Sequence, residues 1–412
     1  MVQTARRLTY RGNSKATRYG WLRLTPAYSV HMVHDILESY KDDTTRPMRM
    51  VLDPFCGTGT TALACAERGI PCTTIDINPF LVWLTCAKTY PYTDADLDQC
   101  RVVGIEIARL LQRPPANAHM WRPPIHQIDK WWDEATCNGL AQIKVSLDAC
   151  ETMISDAACN LLKVAFCRVL IETAHVSFGH QSMSFQKKHV DVPQLFSEHD
   201  ILSTCWQQAL CDVLASAESP IALPPHASIG DARNLSPIIT HASISHVITS
   251  PPYPNRMSYI RELRPYMYWL GYLADGRAAG ELDWQAIGGT WGCATSNLTH
   301  WRSSEDDNVC HAELAEILAR ISIHSQLLAR YIQKYFEDME QHCCVLFPLV
   351  ESGGCITYII GNSKFYDVVL PTERLFGALF AACGFTQIQI EPLRKRSSKK
   401  ELVEYAVTAR KP

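Results

Sequence analysis

The chain has 412 residues, 47% hydrophobic and 20% charged, with a formal net charge of −3. That is enough apolar material for a sizeable core, in one large domain with insertions or in two or three smaller ones. No apolar run reaches the length of a membrane span, no apolar run follows the basic N-terminus as in a secretory signal, and the charge announces no nucleic-acid binder. Basic residues gathered on one face would still serve a nucleic acid. The 17 cysteines are odd in number, scattered and without a Cys-x-x-Cys pair. They read as free thiols in a reducing cytoplasm, with no metal site.

In chain order, the spacing of Tyr28, His31, Met32, Ile36 and Tyr40 predicts a helix over 27–40. A polar connector leads to a strand at 50–52. Helical composition over 60–68 ends at Gly69, a C-cap, and "PCTTID" is a second strand. Strand, glycine turn, helix and strand make a βαβ unit, which implies a parallel sheet covered by helices on both faces. Residues 93–225 interrupt this rhythm and read as mostly helical. Short strands then end at "ASIGDARNL" and "ISHVITSPPY". A helix is expected over 259–273, a Gly/Trp-rich patch over 276–301 and one long helix over 308–341. A strand at 353–362, a helix ending at Gly384 and two final strands joined by "RKRSSKK" close the chain.

Two features carry ligand chemistry. In "VLDPFCGTGTT" a strand delivers Asp53, and Gly57 and Gly59 form a tight turn before a helix N-terminus. Glycines there let a ligand approach backbone N–H groups. The third glycine of a dinucleotide fingerprint is replaced by Ala62, and the Lys-Ser/Thr of a Walker loop is missing. The second strand ends in Asp76, about 20 residues on, where an acid accepts both hydroxyls of a ribose. Together these point to an adenosine-containing cofactor; a plain βαβ turn with a surface Asp is the alternative.

The series "DPFCGTGTT", "IDINP", "GDARNL" and "TSPPY" resembles the motifs of S-adenosylmethionine-dependent amino-group DNA methyltransferases. The Ser-Pro-Pro-Tyr form is similar to the cytosine-N4 subgroup. The likeness covers 20–90, 227–275 and, more loosely, 350–410. It implies a Rossmann-like class I methyltransferase core, doubly wound and mostly parallel, with a helical insertion. It implies that Asp53, Pro54, Phe55, Cys56, Gly57, Gly59 and Thr60 form the methionine-side loop of the cofactor site. Asp76 and Ile77 would hold the ribose, and Asp231 and Ala232 the adenine. "TPAYS", with Pro26 and Tyr28, would close over the methionine carboxylate.

Ser250, Pro251, Pro252 and Tyr253 would form the target pocket. The lone pair of a cytosine amino group is delocalised into its ring. Acceptors on its hydrogens, the Ser250 side chain and the Pro251 carbonyl, favour a pyramidal nitrogen able to attack the methyl carbon. The prolines pre-position them and Tyr253 would stack on the base. The base must leave the duplex to reach such a site. Cytosine-C5 chemistry needs a cysteine in this loop, which has none; Cys72 follows Pro71 but reads as core.

The partner implied is double-stranded DNA, with a cognate restriction endonuclease. DNA contacts are expected from His180, Gln181, Ser182, Lys187 and Lys188, and from Arg256, Arg394 and Arg396. Three parts result: 1–92 and 226–412 make the core, the latter with an insertion at 276–345, and 93–225 is the candidate target-recognition region. Here the cofactor motif precedes the target motif, whereas many cytosine-N4 enzymes have the reverse. Adenine-N6 methylation on the same scaffold and an inactive DNA-binding subunit are rival readings. An RNA guanine-N2 enzyme is another, although it would bring an N-terminal RNA-binding domain, and only about 20 residues precede "WLRLTPAYS".

Overall fold

The computed structural model describes residues 13, 16–22, 28–41, 47–113, 120–177, 184–185, 198–239, 243–255, 258–303, 312–396 and 401–412. Helix α1 (Val30–Lys41) precedes strand β1 (Val51–Asp53), helix α2 (Thr60–Arg68), strand β2 (Cys72–Asp76) and helix α3 (Pro79–Thr89). Five helices follow: α4 (Asp94–Leu111), α5 (Ile128–Trp131), α6 (Glu134–Cys150), α7 (Asp156–Glu172) and α8 (Glu198–Ala217). Strands β3 (His226–Ile229) and β4 (Ile244–Thr249) lead to α9 (Tyr259–Trp269), α10 (Gly276–Gln285), α11 (Cys293–His300), α12 (Ala312–Ser322) and α13 (Gln326–Leu346). Strand β5 (Val350–Gly361), helix α14 (Thr372–Ala382) and strands β6 (Thr386–Lys395) and β7 (Val403–Arg410) complete the fold.

The seven strands form one sheet in the order 3-2-1-4-5-7-6. Strands β3, β2, β1, β4 and β5 run parallel, and β7 pairs antiparallel with both β5 and β6. The doubly wound, mostly parallel sheet expected from the sequence is therefore present. It differs from the 3-2-1-4-5-6 dinucleotide-binding order by the reversed β7 inserted at one edge.

Both faces of the sheet are covered, which is why its strands read as apolar runs. Side chains alternate between two layers. Leu52, Val247, Tyr358 and Val407 pack with α12, α13 and α14, whereas Val51, Ile248, Ile359 and Ala406 pack with α1 and α2. Helices α4, α6, α7 and α8 share a third core with α3 and α9. The mostly helical stretch is thus an enlarged crossover between the neighbouring strands β2 and β3, fused to the sheet through α3.

Two expectations are corrected. The long helix over 308–341 is two helices, because Ser325 caps α13 by accepting the Leu328 N–H. The Gly/Trp-rich patch holds helices α10 and α11, the first capped by Asp275 accepting from Ala278.

Candidate active site

Strands β3, β2, β1 and β4 end side by side, and their following loops enclose one cavity. It holds about 960 Å³ of empty space, part of it open to solvent. Such a crevice at the carboxyl ends of parallel strands, where the strand order reverses, is where doubly wound sheets bind ligands. Its lining comes from the glycine turn (Pro54 to Thr58, and Thr60), from Asp76, Ile77 and Asn78, from Gly230 to Ala232, and from Ser250 to Tyr253. Tyr28, Leu81, Tyr259, Ile260 and Gln285 to Ile287 complete it.

The glycine turn is built from both sides. Gly59 has φ +74°, and a Cβ there would stand 2.6 Å from the Thr85 hydroxyl, so only glycine fits. The Gly57 N–H donates to Asp76 Oδ2 at 2.9 Å, and the Asn78 N–H donates to Oδ1 at 2.9 Å. Asp76 thus fastens the turn and keeps lone pairs on each oxygen for a ligand. Burial pushes its carboxyl up to about 6, against the pull of those N–H bonds. No Lys or Arg side chain is among the lining residues.

Asp53 and Gly59 stand behind the wall. Asp53 is fully buried, accepts the Thr249 hydroxyl at 2.6 Å and the Phe55 N–H at 3.2 Å, and so ties the ends of β1 and β4 together. Burial raises its carboxyl to about 6. Tyr28 lines the cavity while its hydroxyl bonds Thr61. Pro26 lies outside the described residues.

Asp231 is held by Arg233. The guanidinium contacts both carboxylate oxygens, at 2.8 Å from NH2 to Oδ2 and 3.0 Å from Nε to Oδ1. Burial works against this, yet Arg233 keeps the carboxyl below its ordinary range. Arg233 also reaches Asp338 at 2.8 Å and the Gln285 carbonyl at 2.6 Å. Ala232 is fixed by His342, whose Nδ1 lies 2.8 Å from the Ala232 carbonyl. A carbonyl only accepts, so Nδ1 carries the proton and Nε2 accepts the Tyr358 hydroxyl at 2.7 Å. The His342 ring also meets Phe55 edge-on at 4.9 Å.

The Ser-Pro-Pro-Tyr loop is anchored from four elements. The Ser250 hydroxyl donates to the Ile359 carbonyl of β5 at 2.9 Å, which leaves its oxygen to accept. The Tyr335 hydroxyl of α13 donates to the Pro252 carbonyl at 2.7 Å. The Tyr253 N–H donates to the Tyr259 oxygen at 3.2 Å, and the Tyr253 hydroxyl to Glu404 of β7 at 3.2 Å. Arg396 covers one face of the Tyr253 ring, 4.9 Å from its centroid.

This changes the picture of two arginines read as phosphate contacts. Arg396 braces Tyr253 and donates to the Asn362 carbonyl at 2.9 Å. Arg394 pairs with the buried Glu404 at 2.7 Å. Neither lines the cavity; both support the Tyr253 side of the loop from behind, through the ring itself and through Glu404. His180, Gln181, Ser182, Lys187, Lys188 and Arg256 lie outside the described residues.

Sequence reasoning did not find Arg233, His342, Tyr259, Tyr335 or Asn78. Asn78 had a visible signal, an Asn before a proline at a helix start, and it caps α3 by accepting the Phe80 N–H. Cys56 lines the cavity, and burial pushes its thiol far up, so it stays protonated. Among the described residues no group of His, Cys, Asp and Glu is arranged to hold a metal ion, and no helix is long and apolar enough to cross a membrane.

The chain is similar to type II methyltransferases. It is 21% identical to the type II methyltransferase M.BsoBI of Geobacillus stearothermophilus, across 98% of this chain and 86% of that protein. The type II methyltransferase M.AvaI of Nostoc sp. shares 29% identity over 72 residues, 18% of this chain and 14% of that protein. The rRNA methyltransferase aviRa from Streptomyces viridochromogenes aligns over 93% of this chain and 86% of its own, at TM-score 0.29 and 11% identity. No protein-family model matches the chain.

Proposed function

We propose that this protein is an S-adenosylmethionine-dependent DNA methyltransferase that methylates the N4 amino group of cytosine in duplex DNA. One observation carries the reading: the glycine turn with Asp76 and the Ser250 to Tyr253 loop line the same cavity. The likeness to type II methyltransferases along nearly the whole chain supports it. That likeness supports a restriction-modification role, and a restriction endonuclease is the proposed partner.

The donor set fits the cofactor. A carboxylate with spare lone pairs, Asp76, suits a ribose diol. The apolar sides of Ile77, Phe55 and Ile287 suit a purine, with Asp231 and Ala232 at its edge. The turn and the start of α2 at Thr60 offer N–H groups and a hydroxyl to an amino-acid tail. When bound, the cofactor supplies an electrophilic methyl group on a sulfonium. A cavity lined by the Asp76 carboxylate, which has no cationic partner among the described residues, and by no basic side chain favours that positive charge.

The chain's own work is positioning. Ser250, its proton committed to Ile359, accepts one hydrogen of the cytosine amino group, and the Pro251 carbonyl accepts the other. Tyr253, which lines the cavity, would stack on the base. With the base out of the helix, both acceptors would hold the amino nitrogen towards the methyl donor; S-adenosylhomocysteine would leave, and the methylated nitrogen would lose one of its protons to solvent. The protonated state of Cys56 favours this direct transfer over attack by a thiolate. Residues 93–225, with the patch after 276, are the proposed target-recognition region.

The test is to incubate the protein with labelled cofactor and unmethylated DNA or RNA, digest to nucleosides and identify the product. N4-methylcytosine is expected. N6-methyladenine would move the target to adenine, and label confined to RNA, or none, would overturn the reading.

A further inference from the structure

Helix α9 starts at the cavity, where Tyr259 and Ile260 line the wall. Arg261 follows, and Arg264 lies one turn on, on the same face. The Arg264 guanidinium sits between two indoles, 5.0 Å from the Trp131 ring and 5.6 Å from the Trp291 ring. Among the described residues neither arginine has a carboxylate in ion-pair range. The buried Nε of Arg264 has no hydrogen-bond partner. Burial, and then the charge of Arg261, lower the Arg264 pKa to about 10.

A half-buried cation beside a like charge, with no counter-ion, is costly to a fold. The indoles offset part of that cost, and Arg264 keeps a planar fork suited to an oxyanion. The backbone beside the second indole is fixed: the Trp291 backbone N–H donates to buried Asp283 at 2.7 Å, and Asp283 also accepts the hydroxyl of Ser258, the N-cap of α9, at 2.5 Å. Trp131 comes from the helical crossover. Beside it, Lys130 lies 5.9 Å from the ring of Phe185, which is 47% exposed and meets Trp131 edge-on at 5.8 Å.

We propose that Arg261, Arg264 and Lys130, braced by Trp131, Trp291 and Phe185, form a docking surface for the phosphates of duplex DNA next to the cavity. The proposal rests on the DNA-methyltransferase reading above. The charge is complementary, no basic residue lines the cavity itself, and the arginines stand on the helix whose first residues, Tyr259 and Ile260, line it. The rings of Trp131 and Trp291 are covered by Arg264, so their task is to hold the cation. Phosphate contacts of this kind fix register on the duplex and carry no sequence information.

The test uses full-length protein, S-adenosylhomocysteine and a fluorescent duplex cut from DNA that the wild type labels, titrated across a salt series. Arg261→Gln and Arg264→Gln should each weaken binding about tenfold and reduce the salt slope by about 1, with cofactor affinity unchanged. Arg264→Lys should keep the slope. Arg261 is exposed, so its variant reports binding even if Arg264→Gln disturbs packing. Unchanged slopes in Arg261→Gln and Arg264→Gln, while the wild type methylates the same duplex, would overturn the surface and leave the enzyme reading intact. A wild type that neither labels nor binds duplex sinks both. Preference for an RNA hairpin over duplex, lost in the same variants, would overturn the proposal in favour of RNA.

Discussion

Lys88 Nζ donates to the Thr58 carbonyl at 2.9 Å from inside the core, on the reverse side of the turn that faces the cavity. The side chain is 1% exposed, and its other contact is the Tyr19 carbonyl at 3.4 Å. Among the described residues no carboxylate pairs with it. Burial lowers its pKa to about 7. A lysine whose folded pKa falls below its unfolded value destabilises the fold while charged, so stability should rise with pH above about 7. Between pH 7 and 9 the gain should be about 2 kcal/mol. Urea unfolding at the two pH values measures it. Lys88→Met should remove that part of the pH dependence and raise the cofactor Kd, since the turn loses its support.

Asp76→Ala should raise the cofactor Kd about 100-fold, the loss of two hydrogen bonds to a charged acceptor. The carboxylate is the competent form, and its folded value of about 6 lies above the ordinary one. Cofactor affinity should therefore be full above pH 7 and fall as pH drops through 6, approaching tenfold per unit below it. Calorimetric titration at several pH values tests both statements. An Asp76→Ala protein with wild-type affinity would remove the proposed ribose contact.

Ser250→Ala should leave cofactor binding unchanged and cut the single-turnover methylation rate by about 100- to 1,000-fold, the range for losing one aimed polar contact. Ser250→Thr keeps an acceptor and should retain more activity. Equal loss in both variants would mean that the Ile359 anchor matters more than the acceptor.

His342→Phe should destabilise the protein by about 2–4 kcal/mol, because the Ala232 carbonyl and the Tyr358 hydroxyl both lose a partner. The folded pKa of His342 is about 4, depressed by burial. Its contribution is present in full above pH 6.5 and lost as pH falls towards 4. Wild type should lose stability between pH 7 and 5 that the variant does not, by about 2 kcal/mol, read as a difference in urea midpoints.

Local chemistry made much of this legible. Gly59 must be glycine because Thr85 occupies the place of its Cβ, and a glycine two residues after another at a strand end is a visible mark. Asp76 was legible by its distance from that turn, and Gly69 by ending an apolar helix. The supports were not legible. Tyr335 reaches Pro252 across 83 residues of chain, and Arg233 reaches Asp338 across 105. Such contacts leave no periodicity or composition to read. The break before α13 hid for another reason: His324 and Ser325 sit in a run whose apolar spacing continues on both sides, and only the Ser325 cap marks the new start. Arg394 and Arg396 looked like a solvated basic run because sequence gives sign but not the Glu404 and Tyr253 that they face.

The enlarged crossover also sets an order of assembly. Strand β2 pairs with β3, Asp76 opposite Ile229, although six helices, α3 to α8, lie between them among the described residues. A chain emerging from the ribosome N-terminus first displays the glycine turn and Asp76 long before Asp231, Ser250 or Ile287 has been made. Until then the outer edge of β2 has no strand to bond with, and exposed edges recruit other chains. The cavity comes into being late in synthesis, so a growing chain holds no cofactor to stabilise it. Helices α4 to α8 share one core with α3 and are made before β3, so they are the elements available to carry the chain back to the edge that β3 closes.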